Sequence, residues 1–265
     1  MNRLLTLAML LCLSAPAAAC PRIVSQAPYI TRTLQWLGLE PCIVGVGNYD
    51  TLDLPHTGGV LDPDADTIAL LQPQLMFNAD WLEEARWQAL APPTARAVTL
   101  HGFLSMAEVE ENLRIVGRAA QLDDAEARAA SFAQAWRAAA AQVQGNGRRV
   151  LLLSACSGTP YSFGRNTWLH DLFTAAGFTV AEDAERLRHL RPGETITDIG
   201  TLADRQQAEV LFVFERKAAQ QCALIRPQRP LPIVSLDGEN FLHPAPSLLE
   251  GLAELQAKRA QWSVP

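Results

Sequence analysis

Residues 123–144 read DDAEARAASFAQAWRAAAAQVQ, and Gly145-Asn146-Gly147 follows. Alanine is the strongest helix former and the run holds almost no helix breakers, so the stretch predicts one continuous helix. Asp123 or Asp124 offers a capping carboxylate at its start, and the Gly-Asn-Gly triplet stops it. At 1.5 Å of rise per residue, about 20 residues make a rod of roughly 30 Å. Such a rod is either one more crossover on a single sheet or a stiff strut between two lobes. Two features favour the strut: each flank carries its own strand-like runs, and no Pro/Gly/Ser-rich linker separates them. The charge balance shifts as well, with 4 basic and 9 acidic residues over 21–105 but 13 of each over 145–265.

Upstream of the rod the strand-like runs are Ile23-Val24-Ser25 and residues 43–46, 75–77 and 97–100, with helices expected over 29–39, 65–72 and 81–90. Ser105 and Glu108 form a capping-box pattern that opens a further helix over 105–119. Downstream, strands are expected over 150–154, 178–181, 210–214 and 233–236, with helices over 168–176, 200–207 and 247–258. Strands that are apolar throughout, rather than at every second residue, belong to parallel sheets covered on both faces. The expected fold is therefore α/β: two Rossmann-like lobes with parallel sheets, joined by a single long backbone helix, with a ligand cleft between them. The expected division is an N-terminal lobe over 20–121, the connecting helix within 122–144 and a C-terminal lobe over 145–265.

The 265 residues are 49% hydrophobic and 19% charged with a formal net charge of -6, the composition of a folded chain rather than a disordered one. An acidic chain with only two lysines offers no electrostatic footprint for nucleic acid. Residues 1–19 carry Arg3, the apolar run from Leu4 to Leu13 and then Ala17-Ala18-Ala19, the pattern of a secretory signal peptide. That run is too short to span a bilayer. Cleavage after Ala19 would make Cys20 the first mature residue, which leaves two expectations open: a free periplasmic protein, or a lipoprotein anchored through Cys20. An oxidising compartment favours paired cysteines. Cys20 and Cys42 each precede a strand-like run, and Cys156 and Cys222 each follow one, so the expected disulfides are Cys20–Cys42 and Cys156–Cys222.

The run Gly58-Gly59-Val60-Leu61-Asp62-Pro63-Asp64-Ala65-Asp66-Thr67-Ile68-Ala69-Leu70-Leu71-Gln72-Pro73-Gln74-Leu75-Met76 is similar to a glycine pair, helix and strand in one transport family. It resembles the substrate-binding proteins of bacterial ABC importers whose lobes share one backbone helix, the class of the B12, ferric-siderophore and haem binders. Arg22-Ile23-Val24-Ser25, Gly45-Val46-Gly47-Asn48-Tyr49 and Tyr161-Ser162-Phe163-Gly164 resemble that family's first strands and its second-lobe pocket loop. The resemblance implies a periplasmic binder, monomeric and without catalysis or an intrinsic cofactor, that delivers a ferric siderophore, cobalamin or haem to an inner-membrane permease dimer. It also implies docking through one acidic residue per lobe. The first falls on Asp66; the second position matches Gly200, with Asp198 and Asp204 nearby, and Asp198 is the candidate. Val60 and Glu194 stand where the B12 binders place tryptophans, a departure that weighs against a corrinoid.

In parallel α/β lobes ligands gather beyond the carboxyl ends of the strands. The loops expected there include residues 26–29, 49–59, 78–81, 101–104, 157–165, 186–194, 215–217 and 237–243. All three tyrosines fall in them, and Tyr29, Tyr49 and Tyr161 join Trp81, His101 and Arg165 as the candidate ligand-binding residues. Aromatic faces grip a flat or bulky chelate, and an arginine fork holds a carboxylate or catecholate. Trp36 and Trp168, on helices, read as core. His56, His101, His189 and His243 with Asp80 and Asp237 could instead bind bare Zn²⁺ or Mn²⁺, but they lack the close spacings of zinc sites. An exported α/β hydrolase is a further alternative, resting only on Ser157-Gly158 beside Cys156. No Gly-x-Ser-x-Gly elbow, phosphate-cradling loop or zinc-protease helix accompanies it.

Overall fold

The apolar runs of the first third form β1 (Ile23–Ser25), β2 (Ile43–Val46), β3 (Leu75–Ala79) and β4 (Arg96–Leu100). They pair in the order β2-β1-β3-β4, all parallel. The structure, a computed structural model, describes residues 20–155, 159–216, 227 and 229–263. Helices α1 (Pro28–Trp36), α2 (Ala65–Leu71) and α3 (Glu84–Ala89) connect these strands. Asp64 caps α2 by accepting from the backbone N–H groups of Asp66 and Thr67, each at 3.1 Å. Gln72, at φ 47°, ends α2 in the left-handed region that glycine more often fills. The Cys20–Cys42 disulfide is present, its Cα atoms 5.7 Å apart, tying the chain before β1 to the start of β2. Cys156 and Cys222 lie outside the described residues.

The middle of the chain is helical: α4 (Met106–Ala119) and α5 (Ala125–Val143). Ser105 caps α4 through Glu108 N at 3.2 Å, while the Glu108 carboxylate reaches back to Leu104 N at 2.9 Å, one residue beyond a capping box. Asp124 does not cap α5; its carboxylate pairs with Arg128 Nε at 2.8 Å instead. The buried residues of α5 (Ala125, Ala129, Phe132, Trp136, Ala140, Val143) recur at helical spacing and form one stripe. Trp136 Nε1 donates to Glu110 Oε1 at 2.9 Å.

Beyond α5 come β5 (Arg149–Ser154), β6 (Tyr161–Phe163), α6 (Trp168–Ala175), β7 (Thr179–Val180) and β8 (Leu187–His189). Then follow α7 (Ile199–Arg205), β9 (Val210–Glu215), β10 (Ile233–Asp237), α8 (Gly238–Phe241) and α9 (Leu248–Ala257). The second sheet runs β10-β9-β5-β6-β8, with β7 beside the opening residues of β5. Strands β5, β7, β9 and β10 are parallel, as expected, whereas β6 and β8 add on antiparallel. These three-residue strands carry too few residues to show a period, and the sequence shows them only as loops.

One cluster of buried apolar side chains runs from α1 and β3 through Phe132 and Trp136 of α5 into Leu152, Phe173 and Leu252 of the second lobe. Helix α5 packs on α4 of the first lobe and on α6 and α9 of the second. The rod is therefore glued to both lobes along its length, an arrangement that opposes large independent lobe motion. Among the described residues no helix is long and apolar enough to cross a membrane.

Candidate functional site

The connections after β3 and β4 bring Trp81, Phe103 and Leu104 to one wall of a slot of about 280 Å³. The second lobe supplies Tyr161 and Phe163 of β6, Thr167 and Trp168 at the start of α6, and Arg186, Leu187 and Arg216. The rings form a chain across the lobe boundary: Trp81 to Phe103 at 4.9 Å between centroids, Phe103 to Trp168 at 5.4 Å, Trp168 to Phe163 at 5.5 Å and Phe163 to Tyr161 at 5.4 Å. The described lining holds two guanidinium groups and no carboxylate. It is an apolar aromatic slot with a cationic edge.

Local bonds fix this wall. Thr167 Oγ1 accepts from His170 N at 3.2 Å, capping α6, and donates to Gly164 O at 2.8 Å. Trp168 Nε1 donates to Phe241 O at 2.9 Å, so its ring is core on one side and slot lining on the other. A side chain at Gly164 would strike the carbonyls of Ala184 and Arg186, which lie against this turn. Beneath β6 the fully buried Glu182 accepts from Ser162 Oγ, from Ala184 N at 2.9 Å and from Arg188 Nε at 2.9 Å. That network pins β6 to β8 and with it Tyr161. Across the boundary Met106 N donates to Asp171 Oδ2 at 3.0 Å.

Of the six residues singled out from sequence as ligand-binding, Trp81 and Tyr161 line the slot. Tyr29 does not: it is buried, its hydroxyl donates to Leu100 O at 3.1 Å, and its ring backs Phe103 edge-on at 5.2 Å. Burial, then the charges of Asp80 and Glu108, hold its phenol well above the usual tyrosine range. Tyr49 is 76% exposed and sits in a separate groove with Arg32, Gln35, Asp50 and Glu239. Arg165 is exposed outside the slot lining, and its place is taken by Arg186 and Arg216. His101 is not among the lining residues; its Nδ1 lies 2.7 Å from Asp80 Oδ2. Phe103 and Phe163 were missed by weighing tyrosine and tryptophan only; their signal was an aromatic in a loop already assigned to the cleft.

The two docking candidates have different surroundings. Asp66 is exposed in the first turn of α2. Asp198 caps α7: Oδ1 accepts from Thr201 N at 2.8 Å and Oδ2 from Thr201 Oγ1 at 2.7 Å. The backbone bond from Thr201 is the main cause that holds its carboxyl below the usual aspartate value. Asp198 thus corresponds to the cap Asp64, and the counterpart of Asp66 is Gly200.

The histidines do not converge. His56 Nδ1 meets Gly47 O at 3.3 Å, the His189 ring lies 5.7 Å from Tyr161, and His243 Nε2 lies 3.4 Å from Glu239. Among the described residues no group of three or more His, Cys, Asp or Glu side chains could hold a metal ion.

A family model described as periplasmic binding protein matches residues 23–221. No curated protein sequence matches. The chain is similar to the solved apo periplasmic heme-binding protein of Roseiflexus sp. RS-1, with 22% identity, TM-score 0.74, and 92% of this chain and 100% of that one covered. It is similar to the periplasmic heme-binding protein of Vibrio cholerae at 16% identity and TM-score 0.73, covering 89% and 98% of the two chains. The periplasmic vitamin B12-binding protein of Vibrio cholerae matches at 16% identity and TM-score 0.69, covering 93% and 99%. At these identities the structures establish a shared two-lobed fold.

Proposed function

We propose, because the chain belongs to the periplasmic binding protein family, that it captures a flat, anionic metal chelate of the haem class and delivers it to an inner-membrane ABC permease. The observation that carries the choice of ligand is the slot: a chain of aromatic faces with Arg186 and Arg216 and no carboxylate in its described lining. Aromatic rings stack on a planar π-system, and guanidinium forks pair with carboxylates. At about 280 Å³ the slot is at the lower end of ligand sites. It suits the edge of a thin disc better than a corrinoid with substituents on both faces. Two of the three structures compared above are of haem-binding proteins, which supports the same choice.

In this account residues 20–121 and 145–265 are the lobes, the helix within 122–144 holds them, and the protein works as a monomer. Asp66 is the first-lobe docking residue. A directly bound Zn²⁺ or Mn²⁺ lacks a ligand cluster among the described residues. Titration with ferric protoporphyrin, cyanocobalamin and a ferric catecholate, read by quenching of Trp81 and Trp168 fluorescence, tests the ligand class. Saturable quenching by ferric protoporphyrin at one per chain is expected. Preferential quenching by either of the others reassigns the ligand, and no saturable quenching by any rejects the chelate class.

A further inference from the structure

We infer that His101 supplies a protein ligand to the metal of the captured chelate, with Asp80 as its positioning residue; this rests on the chelate-binding reading above. Strands β3 and β4 pair in parallel with Ala79 opposite Leu100, so Asp80 and His101 leave the sheet side by side. Asp80 N donates to Leu100 O at 3.1 Å, and the side chains then meet at 2.7 Å between Oδ2 and Nδ1. A carboxylate at Nδ1 accepts the ring N–H there, which leaves the Nε2 lone pair as the donor. Nε2 has no partner among the described residues, and the imidazole side chain is 63% exposed. The pair adjoins the slot along the chain without itself lining it: Trp81, a lining residue, directly follows Asp80, and the lining Phe103 lies two residues after His101.

A bare ion needs several protein donors, and no such group exists among the described residues. A metal already held by a macrocycle needs only one donor, at an open axial position. A single imidazole with its tautomer preset, beside an aromatic slot, fits the second case and not the first.

The test adds ferric protoporphyrin to the full chain and records absorption, electron paramagnetic resonance and tryptophan quenching. Wild type should give an imidazole-ligated ferric spectrum. His101→Ala should shift that spectrum while quenching still reports binding, and free imidazole should restore the wild-type bands. Asp80→Asn should keep the bands, weaken affinity on the order of tenfold, and raise the ferric/ferrous midpoint because the ring loses its anionic partner. Both side chains are partly exposed, so neither variant removes core packing. Identical spectra for wild type and His101→Ala would overturn the inference with the chelate reading intact. A wild type that binds no ferric protoporphyrin would overturn the haem reading itself, and the ligand role with it.

Discussion

The Phe103 ring of the first lobe stands edge-on to Trp168 of the second, 5.4 Å between centroids and 82° between planes. The same ring touches Tyr29 and Trp81, so one side chain joins the lobes and lines the slot. Aromatic pairs contribute about 0.5–1.5 kcal/mol each beyond area burial. Phe103→Ala should therefore lower stability by about 2 kcal/mol in denaturant titration and weaken chelate binding in the fluorescence assay. Unchanged binding would remove Phe103 from the ligand surface.

Glu239 accepts from Arg32 at 2.9 Å across the lobe boundary and lies 3.4 Å from His243 Nε2. The hydrogen bond with His243, then the His243 and Arg32 charges, bring its carboxyl down from 4.5 to about 2 against the opposing effect of burial. Because the carboxyl titrates lower in the folded chain, its contribution is complete above about pH 4.5 and is lost as pH falls toward about 2. The carboxylate is more than a third exposed, so screening limits that contribution to about 1 kcal/mol. Acid melts should show wild type losing its advantage over Glu239→Gln through this window; parallel curves would count against the bridge.

The Cys20–Cys42 bond closes a loop with a sequence separation of 22. Chain-entropy arguments give such a loop about 3 kcal/mol of stabilisation. Cys20→Ser should lower stability by about that amount, and mass spectrometry of the unreduced wild type should find both thiols consumed. A lipid on Cys20 would need the sulfur that this disulfide uses, so an acylated Cys20 in native material would contradict the bond.

How far the sequence could be read is clear from particular elements. The alanine-rich run became α5 because its propensity and buried stripe agree, although the left-handed turn that ends it falls on Gln144 rather than on a glycine, and β3 and β4 were visible as short, largely apolar runs. Strands β6 and β8 were not, because three residues carry no period and their pairing is non-local. Six of the eight loops expected at the cleft supply slot residues while 26–29 and 49–59 supply none, and which side chain faces inward is set by packing. Tyr29 turned into the core behind Phe103, and Trp168 kept one edge in the slot while its indole bonded Phe241. The Asp80–His101 pair required strand register, which only the three-dimensional pairing of β3 and β4 supplies.

Mutation should separate the cap role of Asp198 from the docking role proposed for Asp66. Asp198→Ala should cost about 1 kcal/mol through the lost cap on α7, seen as a lower melting temperature, and should leave transport unchanged in cells with adequate protein. Asp66→Ala should leave stability and ligand affinity unchanged and abolish uptake. A transport defect in Asp198→Ala at wild-type protein levels would return that residue to the docking surface.

The central claim is that the aromatic slot between the lobes holds a flat coloured chelate. The most direct measurement is the visible absorption spectrum of the protein released from its native periplasm, compared with a Trp81→Ala, Tyr161→Ala double variant prepared identically. The account predicts an intense porphyrin-type band near one chromophore per chain in the wild type and its loss in the variant. A wild type that is colourless and acquires no such band when ferric protoporphyrin is added would contradict it.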